Sequence, residues 1–260
     1  MKNYILVLVL LLFGMNSYSN AQIHSEYIKY YDGEALLEGY VTYNKSISGE
    51  RPAVIVVHDW KGISEFTTSR CDSLAKLGYV AFAADIYGKD SRPSNTKEAG
   101  NVASIYKNDR QLTRKRINLA LDEVNKIDMV SKGKIAVIGY CFGGMVALEL
   151  ARSGAEIKGA VSFHGNLDTP NPEDAKNIKS KILLLNGADD PFVPVAQIKA
   201  FEEEMNSAGV DWQFVNYSGA VHSFTNPGSG NDNSKGAAYN EKADKRSWLA
   251  MKSFFEEIFK

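Results

Sequence analysis

Two cysteines among 260 residues, Cys71 and Cys141, are too few to staple a fold, so a disulfide scaffold is excluded and a hydrophobic core has to hold the chain. Only seven prolines occur, none gathered with glycine into a linker, and no segment repeats, which leaves no seam for dividing the chain. An excess of one charge is missing too. The 30 Lys+Arg stand against 31 Asp+Glu, a net charge of −1, with the basic residues scattered singly. That excludes the electrostatic footprint of a nucleic-acid-binding protein. A stretch of roughly 20 apolar residues, the length that spans a bilayer, is also absent. The run Ile5–Phe13 has nine. With Lys2 before it and the small residues Ser19-Asn20-Ala21 after it, the run reads as a signal peptide over residues 1–21, with cleavage before Gln22 and no membrane insertion afterwards. The expected location is outside the cytoplasm, periplasmic or secreted.

What remains, 44% hydrophobic and 23% charged, has the composition of an ordinary globular protein. Tyr27–Asp32 and Ala35–Tyr43 alternate in the manner of strands around Asp32-Gly33, a hairpin turn. Beyond Arg51, short β-branched runs alternate with helical patterns. Strands are expected at Ala53–Val57, Tyr79–Ala84, Lys134–Ile138, Gly159–Phe163, Ile182–Leu185 and Trp212–Tyr217. Helices are expected at Glu65–Leu77, Asp109–Ile127, Phe142–Arg152 and Val195–Ser207, with a last one carrying Trp248, Met251, Phe255 and Ile258. Near-continuously apolar strands separated by helices predict an α/β fold: one mostly parallel sheet covered on both faces, forming a single domain over 22–260. Ligands of such sheets sit beyond the carboxyl ends of the strands, so the residues just after each strand carry the functional reading.

Lys134–Ile138 runs into Gly-Tyr-Cys-Phe-Gly-Gly, residues 139–144, and then into a helix. This is the strand–turn–helix setting of a nucleophile elbow, with cysteine where serine is commoner. Gly139 and Gly143 leave out side chains where the sharp turn brings strand and helix together. Cys141 then projects at a helix N-terminus, whose positive end favours a thiolate. A thiol nucleophile needs a base, and the base an orienting acid. Asp190 follows the strand Ile182–Leu185, and His222 follows Trp212–Tyr217. The chain order nucleophile, acid, histidine is that of the α/β-hydrolase fold. Two N–H donors for an oxyanion are expected from Phe142, the residue after the nucleophile, and from Trp60 in the loop His58–Gly62. Asp59 in that loop offers a second base for the thiol, or merely a turn. Cys71, inside a helical pattern, reads as a small buried thiol. The two cysteines are expected to stay unpaired.

Taken together, the segments HDWKG, DIYGKD, GYCFGG, GADDPFVP and AVHSFTNP give a chain that resembles the dienelactone hydrolase family of α/β hydrolases over nearly all of residues 22–260. The resemblance implies a cysteine hydrolase of lactones and small carboxylic esters, with a Cys141-Asp190-His222 triad and no cofactor or metal. It places Asp59 where the family commonly has a thiol-activating Glu. It also places Lys89 and Asn226 where members that take dienelactone hold the substrate carboxylate with arginines. One lysine in place of two arginines implies modest selectivity for anions. The short stretch between Phe163 and Lys181 leaves no room for a large lid, so the site is expected to be bounded by loops, among them Tyr87–Lys107 and Phe224–Gly236.

Other readings have less behind them. His58, Asp59, His164 and His222 offer metal-ligand atoms but no recurrent ligand spacing. A glutamine amidotransferase would need an acid close to its histidine, which His222-Ser223-Phe224 does not supply. A thioesterase, or a hydrolase-fold binding protein that has lost catalysis, uses the same scaffold.

Overall fold

The computed structural model describes residues 22–260, so the expected signal segment lies outside the described residues. Strands β1 (Ile23–Asp32) and β2 (Ala35–Asn44) form the hairpin, with Asp32 opposite Ala35 and Gly33 at φ 59° in the turn. There follow β3 (Arg51–Val57), α1 (Glu65–Lys76), β4 (Val80–Ala84), α2 (Thr96–Asn108), α3 (Arg110–Asn125), β5 (Val130–Tyr140) and α4 (Phe142–Arg152). The chain continues through β6 (Gly159–Phe163), β7 (Lys181–Gly187), α5 (Val195–Ala208), β8 (Trp212–Tyr217) and α6 (Glu241–Ile258). One eight-stranded sheet results, in the order β1-β2-β4-β3-β5-β6-β7-β8. β1 and β2 are antiparallel to their neighbours, and the remaining six strands run parallel.

Because side chains alternate across a strand, each parallel strand feeds two cores. Ala53, Ile55 and Val57 of β3 join Phe82 of β4 and residues of α3, α4 and α5 on one face. Val54 and Val56 join Cys71 and Leu74 of α1 and Met251, Phe254 and Phe255 of α6 on the other. Each fully buried Leu, Ile or Phe contributes roughly 1.5–3 kcal/mol, and burial on both faces is what a parallel sheet requires. Both thiols are free, Cys71 fully buried in its helix. Burial pushes the Cys71 thiol well above its ordinary pKa, which leaves it inert. Among the described residues no helix is long and apolar enough to cross a membrane.

One expectation is corrected. Much of the segment Tyr87–Lys107, expected to be a loop, belongs to α2 (Thr96–Asn108). Asn95 caps it by accepting a hydrogen bond from the Glu98 N–H at 3.0 Å, and Ala99, Ala103 and Tyr106 form its buried stripe. The stripe is faint in the sequence because two of its three members are alanines. No lid occupies the segment between β6 and β7, which holds only the short 3-10 turn Pro172–Asn177.

Candidate active site

After β3 the chain crosses to β4 on one side and later to β5 on the other, so the strand order reverses between β3 and β5. The loops that leave the carboxyl ends of these two strands flank the crevice in which open α/β sheets bind ligands. They are the His58–Gly62 loop and the elbow. At the elbow Cys141 has φ 55° and ψ −115°, outside the ordinary regions for a residue with a Cβ. The close approach of strand and helix enforces it. A Cβ on Gly139 would lie 1.9 Å from the Gly143 carbonyl oxygen, and one on Gly143 would lie 2.4 Å from that of Val57. Both are backbone contacts that cannot swing away, which is why only glycine fits at both positions.

Asp190, in the turn after β7, accepts from the Phe192 N–H through Oδ1 at 2.8 Å and from His222 Nδ1–H through Oδ2 at 2.8 Å. His222 follows β8 and is held by its own backbone, the N–H donating to the Gly236 carbonyl and the carbonyl accepting from the Ala238 N–H. Burial, the largest influence on His222, lowers its pKa, but Cys141 and the Asp190 carboxylate outweigh it and push it up to about 10. Near neutral pH the ring is therefore an imidazolium.

Trp60, Cys141, Phe192, His222 and Ser223 share the wall of one cavity of about 470 Å³, closed on one side by Gly100, Ala103, Ser104 and Lys107 of α2. α2 therefore supplies the wall expected from a loop. The N–H groups of Phe142 and Trp60 donate to no group among the described residues.

Three further assignments from the sequence fall elsewhere. The Asp59 carboxylate accepts from the Lys61 N–H at 2.8 Å, closing a turn, and is not part of the cavity wall. Lys89 is drawn away by Glu38 of β2 (Nζ–Oε1 2.8 Å), and the cation that faces the cavity is Lys107. Asn226 caps the turn Pro227–Ser229 by accepting from the Gly228 N–H at 2.8 Å. Two buried residues behind Cys141 carried no such assignment: His164, after β6, whose Nδ1 accepts from the Cys141 N–H, and Thr225, which His164 contacts in turn. A histidine directly after a strand was the only available signal.

The family model "Dienelactone hydrolase family" matches residues 37–259. The chain is similar to a dienelactone hydrolase-like promiscuous phosphotriesterase from metagenomic libraries: 37% identity, TM-score 0.88, 93% of this chain and 100% of that one. A Bradyrhizobium protein named "Probable 2-oxo-3-(5-oxofuran-2-ylidene)propanoate lactonase" is 28% identical over 188 residues, 68% of this chain and 75% of its own. A dienelactone hydrolase from Anabaena variabilis shares the fold, with TM-score 0.68 at 18% identity over 92% of this chain and 100% of that one. With an eight-stranded α/β-hydrolase sheet and these relatives, the chain belongs to the dienelactone hydrolase family, as a hydrolase of carboxylic esters and lactones.

Proposed function

We propose that the protein is an exported enzyme that hydrolyses small esters or lactones through an acyl-enzyme on Cys141. The observation that carries this is the His222–Asp190 hydrogen bond of 2.8 Å, with Cys141 and His222 on the wall of one cavity. His222, as an imidazolium, already holds the proton of Cys141 Sγ, and the sulfur attacks the carbonyl carbon as a thiolate. Negative charge gathers on the carbonyl oxygen, where the Phe142 and Trp60 N–H groups receive it. As the C–O bond breaks, His222 returns the proton to the departing alkoxide. A water molecule then gives its proton to His222 and attacks the acyl carbon of the thioester, and the acid leaves as the bond between that carbon and Cys141 Sγ breaks, returning the sulfur to Cys141. Asp190 holds the ring with Nδ1 protonated, so that Nε2 handles the proton in both halves.

A cavity of about 470 Å³ suits a small substrate. A second cavity of about 350 Å³, walled by Asn108, Arg110, Asp168 and Gln197, shares Lys107 and Asn166 with it and extends the site over polar ground. Mass spectrometry of protein quenched during turnover of an aryl ester tests the mechanism: the acyl group is expected on the peptide bearing Cys141. Acylation of another residue overturns it.

Substrate charge is read by Lys107. Lys107→Ala is expected to raise KM for a carboxylated ester a few-fold and to leave its neutral counterpart unchanged, in keeping with the modest strength of an exposed ion pair. Lys89→Ala, whose ammonium Glu38 already holds, is expected to do less. Steady-state kinetics on matched esters at two salt concentrations separates the two.

A further inference from the structure

Among the described residues, only three with side chains adopt positive φ: Cys141 at 55°, His164 at 42° and Ser223 at 56°. Two of these, Cys141 and Ser223, are in the cavity wall, and His164 touches the first of them from below. It is 2% exposed. The Cys141 N–H donates both to the Phe163 carbonyl at 3.0 Å and to His164 Nδ1 at 3.2 Å. His164 Nε2 lies 2.8 Å from Thr225 Oγ1, and the Thr225 carbonyl accepts from Arg70 Nη2 at 2.6 Å. Arg70 is in turn paired with Asp244 of α6 at 2.7 Å.

These contacts fix the state of the ring. An amide N–H can only donate, so Nδ1 presents its lone pair, and the one proton of a neutral imidazole sits on Nε2 and is donated to Thr225. The titratable groups around His164 are His222, whose ring centroid is 5.1 Å away, Tyr140 at 6.1 Å, Cys141, and Arg70 behind Thr225 with its charge met by Asp244. Burial, and after it His222, hold the His164 pKa well below its ordinary value.

We propose that His164 is a positioning residue: a neutral Nε2–H imidazole, locked by Thr225, that holds the Cys141 backbone in its left-handed turn and so keeps the sulfur facing His222. The inference rests on the reading of Cys141 as the nucleophile. A protonated His164 would turn a second donor toward the Cys141 N–H and place a second positive charge beside the His222 imidazolium. Both would break the arrangement.

The test uses the whole protein and reads three quantities. Nitrogen NMR of histidine-labelled protein is expected to show His164 as the neutral Nε2–H tautomer between about pH 5.5 and 8.5. The rate of alkylation of Cys141 by iodoacetamide, followed against pH, reports the reactive thiolate without any substrate. In His164→Phe, which keeps the ring and removes both nitrogens, alkylation near pH 6 is expected to fall about tenfold, a shift of its acid limb by about one pH unit. Its kcat is expected to fall with KM unchanged. His164→Asn retains an acceptor near the Nδ1 position and tolerates positive φ, so it is expected to recover most of the alkylation rate. Thr225→Val removes only the acceptor for Nε2–H. It is expected to mix the two tautomers and to shift the acid limb in the same direction, and it carries the test if His164→Phe does not fold. A charged or Nδ1–H His164, or an alkylation profile unchanged in these variants even with a lowered unfolding temperature, overturns the proposal. Retained turnover in Cys141→Ala would instead overturn the cysteine mechanism and leave the tautomer as measured.

Discussion

Cys141→Ala is expected to lose about four orders of magnitude or more in kcat/KM, roughly 5.5 kcal/mol of transition-state stabilisation. The elbow offers no substitute, since the Asp59 carboxylate is engaged by the Lys61 N–H and the cavity wall holds no second thiol. His222 would remain beside Asp190 with no thiol left to pair with. A variant keeping more than about a tenth of the wild-type rate, a loss below about 1.4 kcal/mol, removes Cys141 from the mechanism. Cys141→Ser is expected to be far weaker than wild type, because this surrounding forms a thiolate more readily than an alkoxide. The variant also has a signature without substrate. Two of the influences raising the His222 pKa come from Cys141, so in Cys141→Ala it is expected to fall below about 10. The sign for stability follows. A folded-state pKa raised above the ordinary 6.5 contributes stability that is full below about 6.5 and lost as pH rises through about 10. Without the sulfur that loss is expected at lower pH, which unfolding in urea at a series of pH values would read.

Arg152→Ala is expected to destabilise the fold by about 3–5 kcal/mol. The guanidinium, at the end of α4, is fully buried and each of its three nitrogens makes at least one hydrogen bond. Nε and Nη2 hold Glu204 of α5 at 2.8 and 2.7 Å, Nη1 holds Glu149 at 3.1 Å, and Nη2 also reaches the Leu167 carbonyl at 3.0 Å. Glu149 is shared with Arg114 Nε of α3 at 2.7 Å, and Arg114 reaches Asp174 at 2.6 Å. Removing Arg152 takes away the only side-chain partner that Glu204 has among the described residues, and its carboxylate then remains almost wholly buried. Replacing Arg152, Glu149 and Glu204 together with apolar residues of similar volume is expected to recover much of the loss, because a paired buried charge contributes little net stability while an unpaired one is costly. Urea denaturation of the single and triple variants measures both. A loss under about 1 kcal/mol in Arg152→Ala would mean that water or a neighbour readily replaces it.

Where local chemistry decided the structure, the sequence was readable. α4 begins and ends where the pattern places it, at Phe142 and Arg152, because the elbow glycines force the turn and the residues after it are continuously apolar. β6 and β8 likewise keep their expected bounds. The triad order needed only the strand ends. α2 was hidden because Thr96, Gly100 and Asn101 are weak helix formers and its cap, Asn95, also suits a loop. The Lys89 assignment failed for a different reason. A position within a motif fixes where a backbone goes, but the partner of a long side chain is set by what folds next to it, here Glu38 from 51 residues earlier in the chain. Asp59 and Asn226 each settle onto a backbone N–H two residues ahead, the commonest local alternative for Asp and Asn. His164 was visible only as a spare metal ligand, since its partners Cys141 and Thr225 are 23 and 61 residues away.

The order of strands also governs when the protein becomes chemically competent. Trp60, Cys141, His164, Asp190 and His222 leave the ends of β3, β5, β6, β7 and β8, five neighbours joined only by parallel pairing. Parallel neighbours cannot close through a tight turn, so each must wait for a long crossover connection, and the loop-closure entropy is spent before any contact repays it. The β1–β2 hairpin, by contrast, is local in the chain and remote from the catalytic residues. Partly folded forms can therefore hold much of the hairpin and helices while Cys141 remains an ordinary thiol. On the proposed mechanism, reactivity arises only with the last parallel pairing, β7 with β8, that brings His222 to it, which spares an unfinished chain from carrying an activated nucleophile.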